Sequence, residues 1–240
     1  MNKLEKWRVS KEETALLGAA SALLSISDLG LILDSPLWCS ALTGRKIQTY
    51  HPAWTQRVYS TLIEENDLVF GAKKKLWTVT QEMMAERNYK AIGVVLNCGP
   101  ALMGDDVEGI CGSISDAPII PVEAGGFTGE ADQGWSDAMI ALLEKVPKFS
   151  EKKNSTMNLL GCAVYDTEIK ERIRKYKDVA EGGKYRIPGY EECTFDELSY
   201  LSRANENIVL HPRGLAMAKW MREQFHIEYR LAYESCEENQ

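Results

Sequence analysis

The most constraining stretch of this 240-residue chain is Ala91-Ile92-Gly93-Val94-Val95-Leu96, a short run with no polar side chain, set between Lys90 and Asn97. A run this short and this uniformly apolar predicts a strand covered on both faces. Such strands belong to parallel sheets whose crossovers are helices. The rest of the chain repeats the pattern. Helical periodicity is read over residues 15–24, 52–64, 73–87, 105–114 and 135–145, and strands over 30–33, 67–70, 91–96 and 118–122. Residues 35–39, Ser-Pro-Leu-Trp-Cys, are read as a loop beyond a strand end.

Residues 147–155 carry small and charged side chains without periodicity and are read as a linker. Beyond them the alternation restarts, with strands predicted at 157–163, 184–187, 207–210 and 227–231 and helices at 167–177, 194–204 and 214–225. The expected architecture is α/β, with two Rossmann-like domains over 1–150 and 151–240, each a parallel sheet flanked by helices.

Charge and hydropathy remove several functional classes. A formal net charge of -7 supplies no concentrated basic surface for nucleic acid. The apolar stretch over residues 15–33 is interrupted by Ser25, Ser27, Asp28 and Gly30, short of the ~20 continuous apolar residues that a bilayer requires. Residues 1–11 are polar and charged and do not read as a secretory leader, so a cytoplasmic protein is expected. Phosphate-binding loops, dinucleotide glycine fingerprints, nucleophile elbows and zinc-protease motifs are all missing from the sequence. The three histidines, His51, His211 and His226, are too scattered for a histidine-built zinc site.

Six cysteines remain: Cys39, Cys98, Cys111, Cys162, Cys193 and Cys236, with no Cys-x-x-Cys pair among them. In a reducing compartment each is a small apolar core residue, a metal ligand or a reactive thiol. Cys98 follows directly on the 91–96 strand, where open α/β sheets hold their ligands. Cys39 also follows a predicted strand end. Several neighbours have structural readings. Asp105 and Asp106 suit helix capping, the 125–129 glycine loop suits a turn, Lys73 to Lys75 suit a solvated helix face, and Trp38 suits aromatic core packing.

Taken together, several segments resemble the component 1 family of nitrogenase and nitrogenase-like reductases, which includes cofactor-assembly scaffolds and dark-operative protochlorophyllide reductases. The resemblance rests on Gly18-Ala19 with residues 23–28, on Ser35-Pro36-Leu37-Trp38-Cys39-Ser40, and on residues 59–61 and 65–76. It continues through the 98–106 segment, Gly125-Gly126-Phe127-Thr128-Gly129 and Asn158-Leu159-Leu160-Gly161. It implies that cysteines of the first domain bind an iron-sulfur cluster, a 4Fe-4S cubane, at an interface between related subunits. Cys39 matches the second of three family cysteines and Cys98 the third, while Thr14 stands where the first would be. Two thiolates per chain leave a four-ligand cubane half complete. A twofold homodimer or a heteromer with a related subunit would supply the rest.

The cysteine that holds the iron-molybdenum cofactor in the catalytic nitrogenase subunit has no counterpart in residues 207–213, so dinitrogen reduction is not expected. His211 is the one other ligating residue there, and its place before a proline suits a structural role. Family members generally carry three α/β domains, of which two are expected here. The resemblance thus implies an oxidoreductase-type electron relay fed by an ATP-dependent iron-sulfur reductase. The alternatives are a scaffold for metallocluster or tetrapyrrole assembly and a cluster-free interaction domain.

Overall fold

The computed structural model describes residues 13–126, 129–147, 156–179 and 183–233. The first half runs α1 (Ala15–Leu24), β1 (Leu29–Asp34), α2 (Leu37–Tyr50), a 3-10 segment (Pro52–Arg57), β2 (Val58–Ser60), α3 (Glu65–Phe70) and α4 (Lys73–Glu86). It continues with β3 (Ala91–Leu96), α5 (Cys98–Met103), α6 (Val107–Gly112), β4 (Ile119–Glu123) and α7 (Ala131–Lys145). The second half runs β5 (Thr156–Leu160), α8 (Ile169–Val179), β6 (Lys184–Arg186), a 3-10 segment (Asp196–Arg203), β7 (Glu206–Val209), a short 3-10 turn (Pro212–Gly214), α9 (Leu215–Phe225) and β8 (Tyr229–Leu231).

Two four-stranded sheets result, ordered β2-β1-β3-β4 and β6-β5-β7-β8, with every pairing parallel. This is the α/β architecture that the alternation predicts. Both sheets reverse their winding at the middle. From β1 the chain crosses to one side and from β3 to the other, so the carboxyl ends of β1 and β3 bound a crevice of the kind that receives ligands in open sheets. The β5 and β7 ends form the corresponding crevice of the second sheet.

The core explains why β1 and β3 sit centrally. Every residue of both strands is buried, and they align from Leu29 against Ala91 to Asp34 against Leu96. α1 is apolar all round except Ser21 and is buried at all ten positions, as expected of a helix packed on every side. It lies against α7 so closely that backbones touch. A Cβ on Gly18 would collide with the Ala131 carbonyl, and one on Gly134 with the Ala15 carbonyl. α7 carries this packing onward, because Trp135 and Leu142 share one apolar cluster with Phe195, Leu198 and Met217 from the second half. A polar clasp adds to it. The buried Arg57 donates to the carbonyls of Leu24, Ile26 and Leu29 and to Glu192 at 3.2 Å, and Trp54 Nε1 donates to the same carboxylate at 2.6 Å.

Four local expectations are corrected. Of the helix expected over residues 52–64 only Pro52–Arg57 is helical, in 3-10 form, since Val58, Tyr59 and Ser60 pair with Leu31, Ile32 and Leu33 as an edge strand. Residues 67–70 are the end of helix α3, which opens with a reciprocal Glu64/Asp67 capping box and buries none of its side chains. The 35–39 loop gives way after Pro36 to the 14-residue helix α2, and Cys98 begins the short helix α5. The predicted 194–204 helix takes 3-10 form. Residues 148–155 of the expected linker, residues 127–128 of the glycine loop, Cys236 and the acidic tail lie outside the described residues.

Gly18→Ala sets helix propensity against packing. The alanine favours an isolated helix by about 1 kcal/mol, whereas its methyl must displace a fixed carbonyl, which costs at least about 3 kcal/mol of overpacking strain. Net destabilisation of about 2 kcal/mol or more is expected in urea unfolding, and a stabilised variant would contradict the close approach.

Candidate functional site

The two cysteines singled out from the sequence come to one place. Cys39 lies on the first turn of α2, just past the end of β1, and Cys98 opens α5, just past the end of β3. They therefore flank the crevice where the first sheet reverses its winding. Both line an open, mainly apolar cleft of about 830 Å³, together with Thr14, Leu17, Leu42 and Gly126. Backbone geometry fixes Cys98. Asn97 caps α5 by accepting the Cys98 N–H at 2.7 Å, and the Gly126 N–H points at Cys98 Sγ at 2.9 Å. That amide contact fixes where the sulfur lies, at the mouth of the crevice.

Thr14, the position where a third cysteine would be expected from the resemblance, also lines this cleft. Its hydroxyl is already engaged, accepting the Leu17 N–H at 3.3 Å as the N-cap of α1, and its backbone bridges to Glu130. The remaining described cysteines lie in different surroundings. Cys111 and Cys162 are fully buried, and burial pushes both thiols above their ordinary range. Burial pushes Cys193 up to about 12. Cys39 and Cys98, by contrast, are partly exposed. Among the described residues no group of three or more His, Cys, Asp or Glu side chains is placed to hold a metal ion. The soft donors of the cleft are two sulfurs, which suit iron and number half the ligands of a cubane, while the Glu13 carboxylate that also lines it is engaged by Lys46 and Tyr50.

Trp38 is corrected from core packing to the surface, with 76% of its area exposed. Leu42, one turn further along α2, is 64% exposed. Asp106 does cap a helix, α6, through the Gly109 N–H, while Asp105 instead accepts the Ala72 N–H. Lys75 is not merely solvated, since it pairs with Asp67 at 2.7 Å and Glu64 at 3.2 Å.

Sequence reasoning missed Asp34, the last residue of β1. It is 1% exposed and accepts a hydrogen bond from Thr61 Oγ1 at 2.7 Å. Its backbone carbonyl accepts the Asn97 N–H, so it ties the end of β1 to the residue that caps α5. Beside it, Ser35, Ser40 and Ser60 form a hydroxyl chain with 2.6 Å links that ties the α2 turn bearing Cys39 to β1 and β2. Burial pushes the Asp34 carboxyl up to about 6; the Thr61 bond opposes this, and Asp105 and Asp67 add to it. The only hint in the sequence was an aspartate closing an otherwise apolar strand.

The second crevice, at the ends of β5 and β7, has a different character. Arg213, its side chain 4% exposed, pairs with Asp132 of α7 at 2.8 Å and Asp166 at 3.0 Å, and His211 Nε2 lies 3.1 Å from the guanidinium. Burial and the adjacent Arg213 charge hold His211 below its ordinary range, hence neutral. This network occupies the place where His211 was weighed as a ligand.

Comparison with known proteins now fits this geometry. The family described as nitrogenase component 1 type oxidoreductase matches residues 14–233. The chain belongs to that family. Its relatives include nitrogenase iron-molybdenum cofactor biosynthesis proteins NifE. That of Nostoc sp. strain PCC 7120 is 28% identical over 221 residues, covering 88% of this chain and 46% of the relative. That of Clostridium pasteurianum is 27% identical over 228 residues, covering 92% and 50%. The chain therefore spans about half the length of these relatives. Among solved structures, nitrogenase Cp1 at pH 6.5 superposes with a TM-score of 0.78 at 14% identity over 93% of this chain and 54% of that one, a likeness of fold. No described helix is long and apolar enough to cross a membrane.

Asp34 yields a pH prediction. Its folded value, about 6, lies above its ordinary 3.8, so the folded state holds the proton more tightly. Stability should fall as pH rises from about 4 to 6 and stay lower above, by on the order of 3 kcal/mol. Asp34→Asn should remove that loss, raising urea stability at pH 7 with little change at pH 4. Equal effects at both pH values would contradict the assignment.

Proposed function

We propose that this chain is a cluster-holding subunit of the nitrogenase component 1 type, in which the Cys39 and Cys98 thiolates take an iron-sulfur cluster of the 4Fe-4S class at an interface with a second subunit. The observation that carries this reading is the convergence of both thiols on one open apolar cleft, with the Gly126 amide aimed at Cys98 Sγ. Soft thiolates from separate loops are the usual way a protein grips iron-sulfur clusters, and amide hydrogen bonds to the sulfurs tune their potential. The residues of this chain act by position. Asn97 and Gly126 fix Cys98, the serine chain fixes the turn that bears Cys39, and the apolar wall of Leu16, Leu17 and Ala124 limits water.

The use of the cluster best supported is assembly and hand-over of a metallocluster. Partly exposed thiols in an open cleft suit loading and release, and the relatives are named for cofactor biosynthesis. Electron relay from an ATP-dependent iron-sulfur reductase is the second reading, favoured by the family's description as oxidoreductase.

Anaerobic reconstitution with ferrous iron and sulfide should give visible charge-transfer absorption. Cys39→Ala or Cys98→Ala should reduce bound iron by about tenfold or more, and Cys193→Ala should leave it unchanged. Equal iron in all three variants would overturn the ligand assignment, and a colourless wild type would leave a cluster-free interaction domain. With a cluster bound, its transfer to an iron-free acceptor protein supports hand-over. ATP-dependent bleaching by a reductase supports relay.

A further inference from the structure

We infer that the cavity beyond the end of β6 is a binding site for a small zwitterion, an α-amino acid with an apolar side chain. Arg186 closes β6, Glu191 and Glu192 follow in the next loop, and Glu197, Tyr200 and Leu201 stand on the 3-10 segment that completes the wall. None of these residues lines the thiol cleft or the second crevice. The volume, about 330 Å³, lies at the low end of the roughly 300–1,000 Å³ typical of small-molecule sites. No cluster is involved, so this site stands or falls apart from the reading above.

Arg186 selects the anionic end of the ligand. Its Nη1 is buried and has no hydrogen-bond partner among the described residues, and its guanidinium carbon lies 5.5 Å from the centre of the Tyr200 ring, a cation–π contact that leaves the N–H donors unused. The Arg203 guanidinium stands 5.5 Å from the same ring, so positive charge gathers here. A buried charged donor left unpaired is costly, and a carboxylate fits the planar fork of a guanidinium.

The glutamates select a cation beside that carboxylate. Glu197 is held ionised, below its ordinary range, by the Thr194 amide and hydroxyl that donate to it, and the Arg186 charge adds to this with no ion pair between the two. Glu192 is taken by Trp54 and Arg57, whereas Glu191 has only a long 3.9 Å contact with Lys177 and is left to receive an ammonium. Three carboxylates in one wall repel a dianion such as phosphate, and no described group of three acidic, Cys or His side chains is placed to hold a metal ion. A single negative charge next to an organic cation is the pattern that matches. Ile187, Leu198 and Leu201 supply apolar wall for a side chain. The loop is already fixed, since the Cys193 amide donates to the Ser25 carbonyl at 3.1 Å and the Cys193 carbonyl accepts the Ser27 N–H at 2.8 Å, so little ordering opposes binding.

The test is isothermal titration of the full chain with L-leucine and L-phenylalanine, each against the matching acid without the ammonium and the matching amine without the carboxylate; for phenylalanine these are 3-phenylpropionate and phenethylamine. At least one amino acid should fill a single saturable site, bound about tenfold or more tighter than either of its single-ended analogues. Arg186→Gln should erase the advantage over the amine, and Glu191→Gln the advantage over the acid. Glu191 is exposed, so its variant tests the site even where Arg186→Gln fails to fold. No saturable binding of either amino acid overturns the site. An acid bound as tightly as its amino acid overturns the zwitterion, and binding unchanged in both variants overturns this cavity as the place.

Discussion

Most of this architecture depends on the close approach of α1 and α7. Gly18 and Gly134 let two helix backbones touch, which places the N-terminus of α1 beside that of α7 and fixes both against the sheets. Each terminus reaches one of the two crevices. Thr14, at the head of α1, forms part of the thiol cleft of the first sheet, and Asp132, in the first turn of α7, reaches Arg213 in the crevice of the second. Looser packing of the pair would move both crevices at once. Two small residues thus align elements more than a hundred positions apart.

The two crevices share a topology and differ in physics. In each, the winding of a parallel sheet reverses and loops diverge from neighbouring strand ends. The first is apolar and keeps two thiols partly exposed. The second is polar, lined by a buried guanidinium shared between two carboxylates, an arrangement whose removal on one side would leave an uncompensated buried charge. An ion pair so placed is a joint between α7 and the β5 and β7 loops. With the Arg57 and Trp54 contacts to Glu192, it means that each half of the chain contributes a buried arginine to an acid of the other. The shared apolar cluster centred on α7 and these two clasps make relative motion of the sheets costly, so an incoming ligand meets a preformed surface at the first crevice.

The fold was legible in the sequence wherever burial was total. β1, β3 and α1 carry nearly continuous apolar runs, α7 carries an apolar stripe at helical spacing, and both candidate cysteines were found because they follow the two most buried strands. Legibility failed where exposure and hydropathy disagree. α2 buries Ser40, Thr43 and Ile47 while exposing Leu37, Trp38 and Leu42, which inverts the usual helical pattern and disguised the segment as a loop. α3 ends in Leu68, Val69 and Phe70, a run that reads as a strand yet is exposed, and only its Glu64/Asp67 cap identified a helix. Asp34 and Arg213 were missed for another reason. Their meaning lies in partners brought together by topology, which no local pattern encodes.

Thr14 shows how a single position trades local stability against ligand count. A helix buried at every residue cannot rely on water to satisfy its first amides, so the side chain at its head must do so. Threonine is among the good N-caps, worth about 1 kcal/mol over a residue without a capping oxygen, and here its hydroxyl takes the Leu17 amide. A cysteine in the same place would offer the cleft a third thiolate and the helix a weaker acceptor. With threonine the helix on which both crevices depend is secured, and the cleft keeps two sulfurs. Leu42 of α2 lines the same cleft, with the exposed Leu37 and Trp38 on the turn before it.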